Sequence, residues 1–279
     1  MHLVWLTLSV LLITGLVGAL LLYYVSKQFA VREDPVAEEI AGLLPGANCG
    51  GCGFKGCRDF AAACASAADL GGIYCPVGGE PVMKRISEIV GLEARSVEPT
   101  VAVVKCNGCA DARKRTAVYD GVRSCALLAA VSAGETACAY GCLGCGDCFK
   151  ACAYGAITMN PATGLPEIDA ARCVSCGKCV SACPRHLIEL RPKGRRDRRV
   201  WVACSSRDRG AVARKFCSVA CIGCGKCAKV CPFGAITVHD NLSYIDPTLC
   251  KACGKCVDVC PTGAILSTFK QKDNEQTDI

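Results

Sequence analysis

One spacing constrains this chain more than any other feature. Cys-x-x-Cys-x-x-Cys-x-x-x-Cys occurs four times, as Cys142, Cys145, Cys148 and Cys152; Cys173, Cys176, Cys179 and Cys183; Cys221, Cys224, Cys227 and Cys231; and Cys250, Cys253, Cys256 and Cys260. Three thiolates on one tight loop can cap three irons of a cubane cluster, while the fourth ligand arrives from elsewhere. A disulfide framework has no reason to repeat one spacing four times, and an odd total of 27 cysteines suits complete pairing badly. Zinc takes isolated tetrahedral sets, usually paired Cys-x-x-Cys, and not an interlocked triple plus one.

The four runs pair into two modules. In the second, Cys231-Pro232 and Cys260-Pro261 close their runs as in bacterial two-cluster ferredoxins, where the fourth cysteine serves the other cluster. One cluster is therefore expected on Cys221, Cys224, Cys227 and Cys260, and the other on Cys250, Cys253, Cys256 and Cys231. Residues 234–246 between them read as a β-hairpin. The first module repeats this, offset by 79 residues from Cys142 to Cys221 and by 77 from Cys173 to Cys250, with CAYGAITM matching CPFGAITV. Ala153 stands where the other three runs carry proline. A proline there stops the helix after the cysteine, so its loss is expected to be tolerated.

Cys49, Cys52 and Cys57, with Cys75 further on, form a different four-cysteine set in a loop rich in glycine. Glycines 50, 51, 53 and 56 let the backbone wrap an inorganic core and aim N–H groups at sulfur. Residues 51–56, GCGFKG, match a dinucleotide-binding fingerprint in letters only, because no strand precedes them and a cysteine lies inside. Cys64 reads as a small buried residue on an alanine-rich helix. Cys106, Cys109, Cys125 and Cys138 are candidates for a sixth, middle cluster. Cys138, four residues before Cys142, competes to join the first module instead. Cys204 and Cys217 are open between ligands, a redox-active pair and simple thiols.

Residues 3–25 carry no charge. As a helix this run would be roughly 34 Å long, enough to cross a bilayer. Trp5 near one end and Tyr23 and Tyr24 near the other suit the two interfaces. A signal peptide would need a basic start and a shorter apolar run. Lys27 and Arg32 follow the run, which places the remaining chain in the cytoplasm, where thiols stay reduced.

The expected fold class is α+β. It comprises a transmembrane anchor (1–26), a small N-terminal [4Fe-4S] domain (27–98), a cysteine-containing linker domain (99–137), a first ferredoxin-like module (138–190), a basic linker and strand (191–216), a second module (217–268) and a polar tail (269–279). Helices are expected over 35–44 and 58–68, and Val82, Ile86, Ile89 and Val90 at helical spacing should pack back on them. Residues 100–104 and 200–203 read as strands, with 115–119 as a hairpin partner of the former.

In the order of these parts the chain resembles the B subunits of the Rnf complex, the ion-translocating ferredoxin:NAD oxidoreductase. The resemblance rests on the N-terminal anchor, AGLLPGANCGGCGFKGC with Cys75-Pro76, GCLGCGDC and the paired runs, and covers nearly the whole chain. It implies a body on one membrane helix that exchanges electrons with soluble ferredoxin and relays them toward membrane and flavin subunits that reduce NAD. It also implies a cluster on Cys49, Cys52, Cys57 and Cys75. Relatives often lack a cysteine at the position of Cys145, which leaves open whether Cys138 or Cys145 completes the first module. With no Rossmann loop, no haem motif and three histidines, the chain is expected to have no substrate-converting site of its own. The alternative is a cluster-bearing arm of another membrane oxidoreductase, such as a hydrogenase or dehydrogenase.

The formal charge of +7 counts every cysteine as neutral. Each four-thiolate cluster carries about −2 when oxidised, so five clusters bring the total to about −3 and six to about −5. The basic residues thus compensate bound cofactor, and no nucleic-acid partner is expected. Residues 191–199 carry Arg191, Lys193, Arg195, Arg196, Arg198 and Arg199 without interleaved aromatics. They read as a solvated linker or, failing that, a docking site for acidic ferredoxin.

Overall fold

The structure, a computed structural model, describes residues 2–28, 34–94 and 97–270. The apolar run is helix α1 (His2–Gln28). Its stretch Val4–Gln28 is long and apolar enough to cross a membrane, with a mean hydropathy of 2.3, and is not buried against the rest of the chain. Thr7 and Thr14 donate their hydroxyls to carbonyls one turn back, which hides their polarity from an apolar surround.

Three helices build the N-terminal domain: α2 (Pro35–Leu43), α3 (Cys57–Ser66) and α4 (Gly79–Val90). Asp34 caps α2 by accepting the Val36 N–H at 2.9 Å, with Pro35 pre-set for the first turn. Ile40, Phe60, Cys64, Leu70, Met83 and Ile86 fill the core at no more than 2% exposure. Val82, Ile89 and Val90 pack around its margin.

The rest of the described chain is one architecture used twice. In the first copy, β1 (Thr100–Val104) pairs antiparallel with β4 (Ile188–Pro192) around the hairpin β2 (Ile157–Met159) and β3 (Pro166–Ile168). In the second, β5 (Val200–Val202) pairs with β8 (Ile265–Ser267) around the hairpin β6 (Ile236–His239) and β7 (Leu242–Ile245). Short helices Asp147–Lys150, Lys178–Ala182, Lys226–Val230 and Lys255–Asp258 each carry the third cysteine of a run in their first turn. Glycine precedes all four, with φ of 80°, 75°, 68° and 77° at Gly146, Gly177, Gly225 and Gly254. This left-handed step turns the loop into the helix, and a Cβ would strain it.

Three expectations are corrected. Residues 115–119 do not pair with β1; Arg115 makes only an isolated bridge to Thr136. Val101, Ala102 and Val103 are buried and need an apolar partner, which Ile188 and Leu190 of β4 supply. Nor is the basic segment a solvated linker throughout. Arg191 is 3% exposed, pairs with Glu189 at 3.0 Å and lies over Tyr244 at 5.3 Å; Arg199 is buried against Asp197. Finally, the expected tail begins packed, because Phe269 sits 4.0 Å beneath the Arg198 guanidinium. Residues 271–279 lie outside the described residues.

The two copies are joined edge to edge. Trp201 donates its indole N–H to Val104 O at 3.0 Å, Arg191 donates to Val200 O at 3.2 Å, and Asn107 N–H reaches Ala203 O at 2.9 Å.

Candidate metal centres

Cys49, Cys52, Cys57 and Cys75 surround a hollow of about 310 Å³ between the glycine loop and α3. Asn48 fixes that loop, since its Oδ1 accepts the Cys57 N–H at 2.8 Å and so caps α3. Burial pushes the Cys75 thiol up, while N–H groups from Gly78 (3.3 Å to sulfur) and Val77 pull it back. Such donors would stabilise a sulfur that carries cluster charge. Cys64 is fully buried on α3, its thiol pushed up to about 11 by desolvation and then by Cys52 and Cys75.

In the second module Cys221, Cys224, Cys227 and Cys260 line a hollow of about 300 Å³. Ser243 Oγ lies 3.7 Å from Cys221 Sγ and 3.4 Å from Cys227 Sγ. Cys256, pushed up to about 12 by burial, is next affected by Cys250 and Cys253; Cys250 is pushed up by burial, pulled back by the Ala252 N–H, and then raised by Cys253 and Cys231. The fourth cysteine of each run thus sits with the other run, as the spacing predicts. Cys224 and Cys253 are exposed.

The first module repeats the crossing. Burial pushes Cys179 up to about 12, with Cys173, Cys176, Cys148 and Cys152 adding to it. The other hollow, about 420 Å³, is lined by Cys125, Cys142, Cys148 and Cys183. Leu187 N–H points at Cys183 Sγ at 3.3 Å. The middle quartet Cys106, Cys109, Cys125 and Cys138 is not brought together. Cys125 heads the helix Cys125–Val131, which Asp147 docks onto this module by accepting from Ser124 Oγ (2.9 Å) and Ala126 N–H (3.0 Å). Cys145 stands beside Cys125, its thiol donating to Leu143 O at 3.7 Å. Cys109 lines neither hollow; the next residue's N–H, of Ala110, is bonded to Thr163 O at 3.2 Å. Cys106 and Cys138 face the second module together with Cys204 and Cys217.

The N-terminal set meets the first module at one contact. Gly51 packs on Cys176 so closely that a Cβ would meet its carbonyl oxygen at 2.8 Å. Tyr154 lies between the same two loops, its pKa raised by burial and then by Cys49 and Cys176. Among the described residues no three His, Cys, Asp or Glu side chains converge closely enough for a single metal ion. Interlocked sets of three thiols on one loop plus one from another suit a polynuclear core better than zinc, which takes isolated sets.

Known proteins share this pattern. The family model "4Fe-4S dicluster domain" matches residues 141–187, 172–235 and 220–264, and "Putative Fe-S cluster" matches 44–68. The first and third dicluster matches coincide with the two folded copies; the second joins neighbouring runs across them. The chain is 42% identical over 90% of its length to the B subunit of the proton-translocating ferredoxin:NAD(+) oxidoreductase complex of Clostridium ljungdahlii, covering 87% of that protein. It is 40% identical to the Na(+)-translocating counterpart of Acetobacterium woodii, over 87% of this chain and 71% of that one. It is also 40% identical to the B subunit of the ion-translocating oxidoreductase complex of Methanosarcina acetivorans, over 88% and 90%.

Proposed function

Because the chain belongs to the family of B subunits of ion-translocating ferredoxin:NAD(+) oxidoreductase complexes, and is thus a membrane-associated iron–sulfur electron-transfer subunit, we propose that it carries electrons between soluble ferredoxin at its second module and partner subunits near its anchor. The observation that carries this reading is the contact between successive thiol sets. The series runs from Cys49, Cys52, Cys57 and Cys75, in the domain that follows the anchor in sequence, across the Gly51–Cys176 contact to the first module and on to the second, whose Cys253 is exposed. When bound, [4Fe-4S] clusters supply one-electron chemistry at each set. The protein's part is to hold the sets in register, shield the inner ones from water and leave the outer one open.

We assign five sets: Cys49, Cys52, Cys57 and Cys75; Cys152, Cys173, Cys176 and Cys179; Cys125, Cys142, Cys148 and Cys183; Cys221, Cys224, Cys227 and Cys260; and Cys231, Cys250, Cys253 and Cys256. In the third of these Cys125 takes the seat that the repeat offers to Cys145. The anchor crosses the membrane once, with Lys27 in its last turn marking the cytoplasmic side, where ferredoxin meets the body.

The docking face follows from charge. Arg198 donates to Ala252 O at 3.3 Å, which ties the basic segment to the loop of Cys250 and Cys253. Arg195, Arg196, Lys251 and Lys255 are exposed beside it. An acidic ferredoxin would be steered here, with a rate that falls as salt rises. The test is reduction by ferredoxin at graded ionic strength. Replacing Arg195, Arg196, Lys251 and Lys255 by Gln should slow it about tenfold or more at low salt and flatten the salt dependence. Unchanged kinetics would refute this docking face.

A further inference from the structure

We propose that Cys106, Cys138, Cys204 and Cys217 form a sixth four-thiolate cluster site that bridges the two ferredoxin modules, each module supplying two ligands. This rests on the relay reading above and adds the link that the five sets lack, between the Cys142 set and the Cys221 set.

Convergence is the first ground. The four cysteines line one hollow of about 300 Å³ between β1, β5 and the segments leading into the two modules. Gly108 lies at its wall, where a Cβ would come within 3.2 Å of Cys217 Sγ. Cys142 N–H points at Cys106 Sγ at 3.4 Å, like the N–H donors at Cys75 and Cys183.

The repeat is the second ground, and it is independent of any distance. Cys138 and Cys217 each stand four residues before the first run of their module, and they are 79 residues apart, the same offset as Cys142 and Cys221. Cys106 and Cys204 each stand two residues after the outer strand that opens their copy, β1 ending at Val104 and β5 at Val202. The site is thus two equivalent cysteine pairs meeting face to face. The backbone brings them there: Arg113 bridges to Cys217, and Ser218 N–H reaches Ala112 O at 2.9 Å.

Charge is the third. Arg113 is 9% exposed and lines this hollow. Its Nε has no partner, and a terminal nitrogen donates to Cys142 O. A buried guanidinium needs a counter-charge. An oxidised four-thiolate cluster carries about −2 and would provide it. Cys106 is also adjacent to Cys142, and Cys204 to Cys221, whose N–H donates to it, so a cluster here lies between its neighbours on both sides.

The experiment is iron and acid-labile sulfide analysis with Mössbauer spectroscopy on the anaerobically purified, reconstituted full chain, beside the double variant Cys204→Ser/Cys217→Ser. About 24 iron per chain, falling to about 20 in the variant, is expected. As a second variant, Cys109→Ser should keep the full complement, and this guards against general sensitivity to cysteine loss. About 20 iron in the wild type, unchanged in the double variant, would overturn the sixth site and leave the five-set relay standing. So would one zinc per chain that is lost with Cys204 and Cys217. Iron near zero would overturn both.

Discussion

The two ferredoxin modules share one fold and differ in what covers them. In the first, the Cys173 set is pressed under the Gly51 loop, and the Cys142 set lies under the helix that begins at Cys125. In the second, Cys224 and Cys253 are exposed and lysines rim the loops. The hairpins differ too. Ser243 sits opposite Val238 and touches two thiols, while the matching first-module position, opposite Met159, is Pro166, which has no hydroxyl. A repeated scaffold thus becomes enclosed in one copy and open in the other through its neighbours, without a change of architecture.

The sharpest way to break this comparison is at the extra thiol of the first module. Cys125→Ala should remove about four iron per chain, whereas Cys145→Ala should keep them, read by iron analysis. The reverse result would restore the simple repeat and make the modules equivalent. Next in size is the covering contact. Gly51→Leu drives a side chain into the Cys176 backbone, and overpacking costs about 1–3 kcal/mol. The docking equilibrium constant should fall roughly 5- to 150-fold, with full iron content but slowed electron transfer between the N-terminal set and the rest. A variant with undiminished transfer would show that the contact is dispensable.

A smaller effect is expected at Ser243. Hydrogen bonds to cluster sulfur favour the reduced, more negative state. Ser243→Ala should therefore lower the midpoint potential of the Cys221 set, by less than about 59 mV, a factor of ten for one electron. Redox titration followed by EPR would read it, and an unchanged or raised potential would contradict the role. The least effect concerns the clasp over the first module. Glu135 is held below the usual carboxylate range by the Tyr119 N–H and then by Arg123 and Arg115. A lowered folded value means stability that is present above about pH 4.3, the unfolded pKa, and is lost as pH falls through the folded one. Glu135→Gln should cost about 1 kcal/mol at neutral pH and flatten the acid limb of a denaturation profile.

The pairing of the cysteine runs into two modules and both hairpins were legible in the sequence, because a cubane imposes a loop spacing that nothing else repeats. The N-terminal helices were legible through the alanine-rich stretch at 58–68 and the helical spacing of Val82, Ile86, Ile89 and Val90. Pairing across long gaps was not. The partner of β1 comes only after the whole first module, and local alternation cannot point past it. Arg191 looked solvated because composition does not reveal Tyr244 beneath it or Glu189 beside it. Cys125 stood too far from any run to be assigned by spacing. Cys217, by contrast, could have been matched to Cys138 through the 79-residue offset already visible between Cys142 and Cys221, whereas Cys106 and Cys204 correspond only by their place after β1 and β5.

The pairing of β1 with β4 also sets a clock. Val104 waits 84 residues for Ile188, and Thr100 waits 92 for Pro192. At about 5–20 residues per second of synthesis, that interval lasts roughly 4 to 18 seconds. Throughout it, an apolar strand has emerged without its partner and invites pairing with other chains. The nascent protein therefore passes through a period when its edge is unprotected and its first thiols still lie open. Whatever supplies iron and sulfide has the easiest access then, before the sheet closes over them.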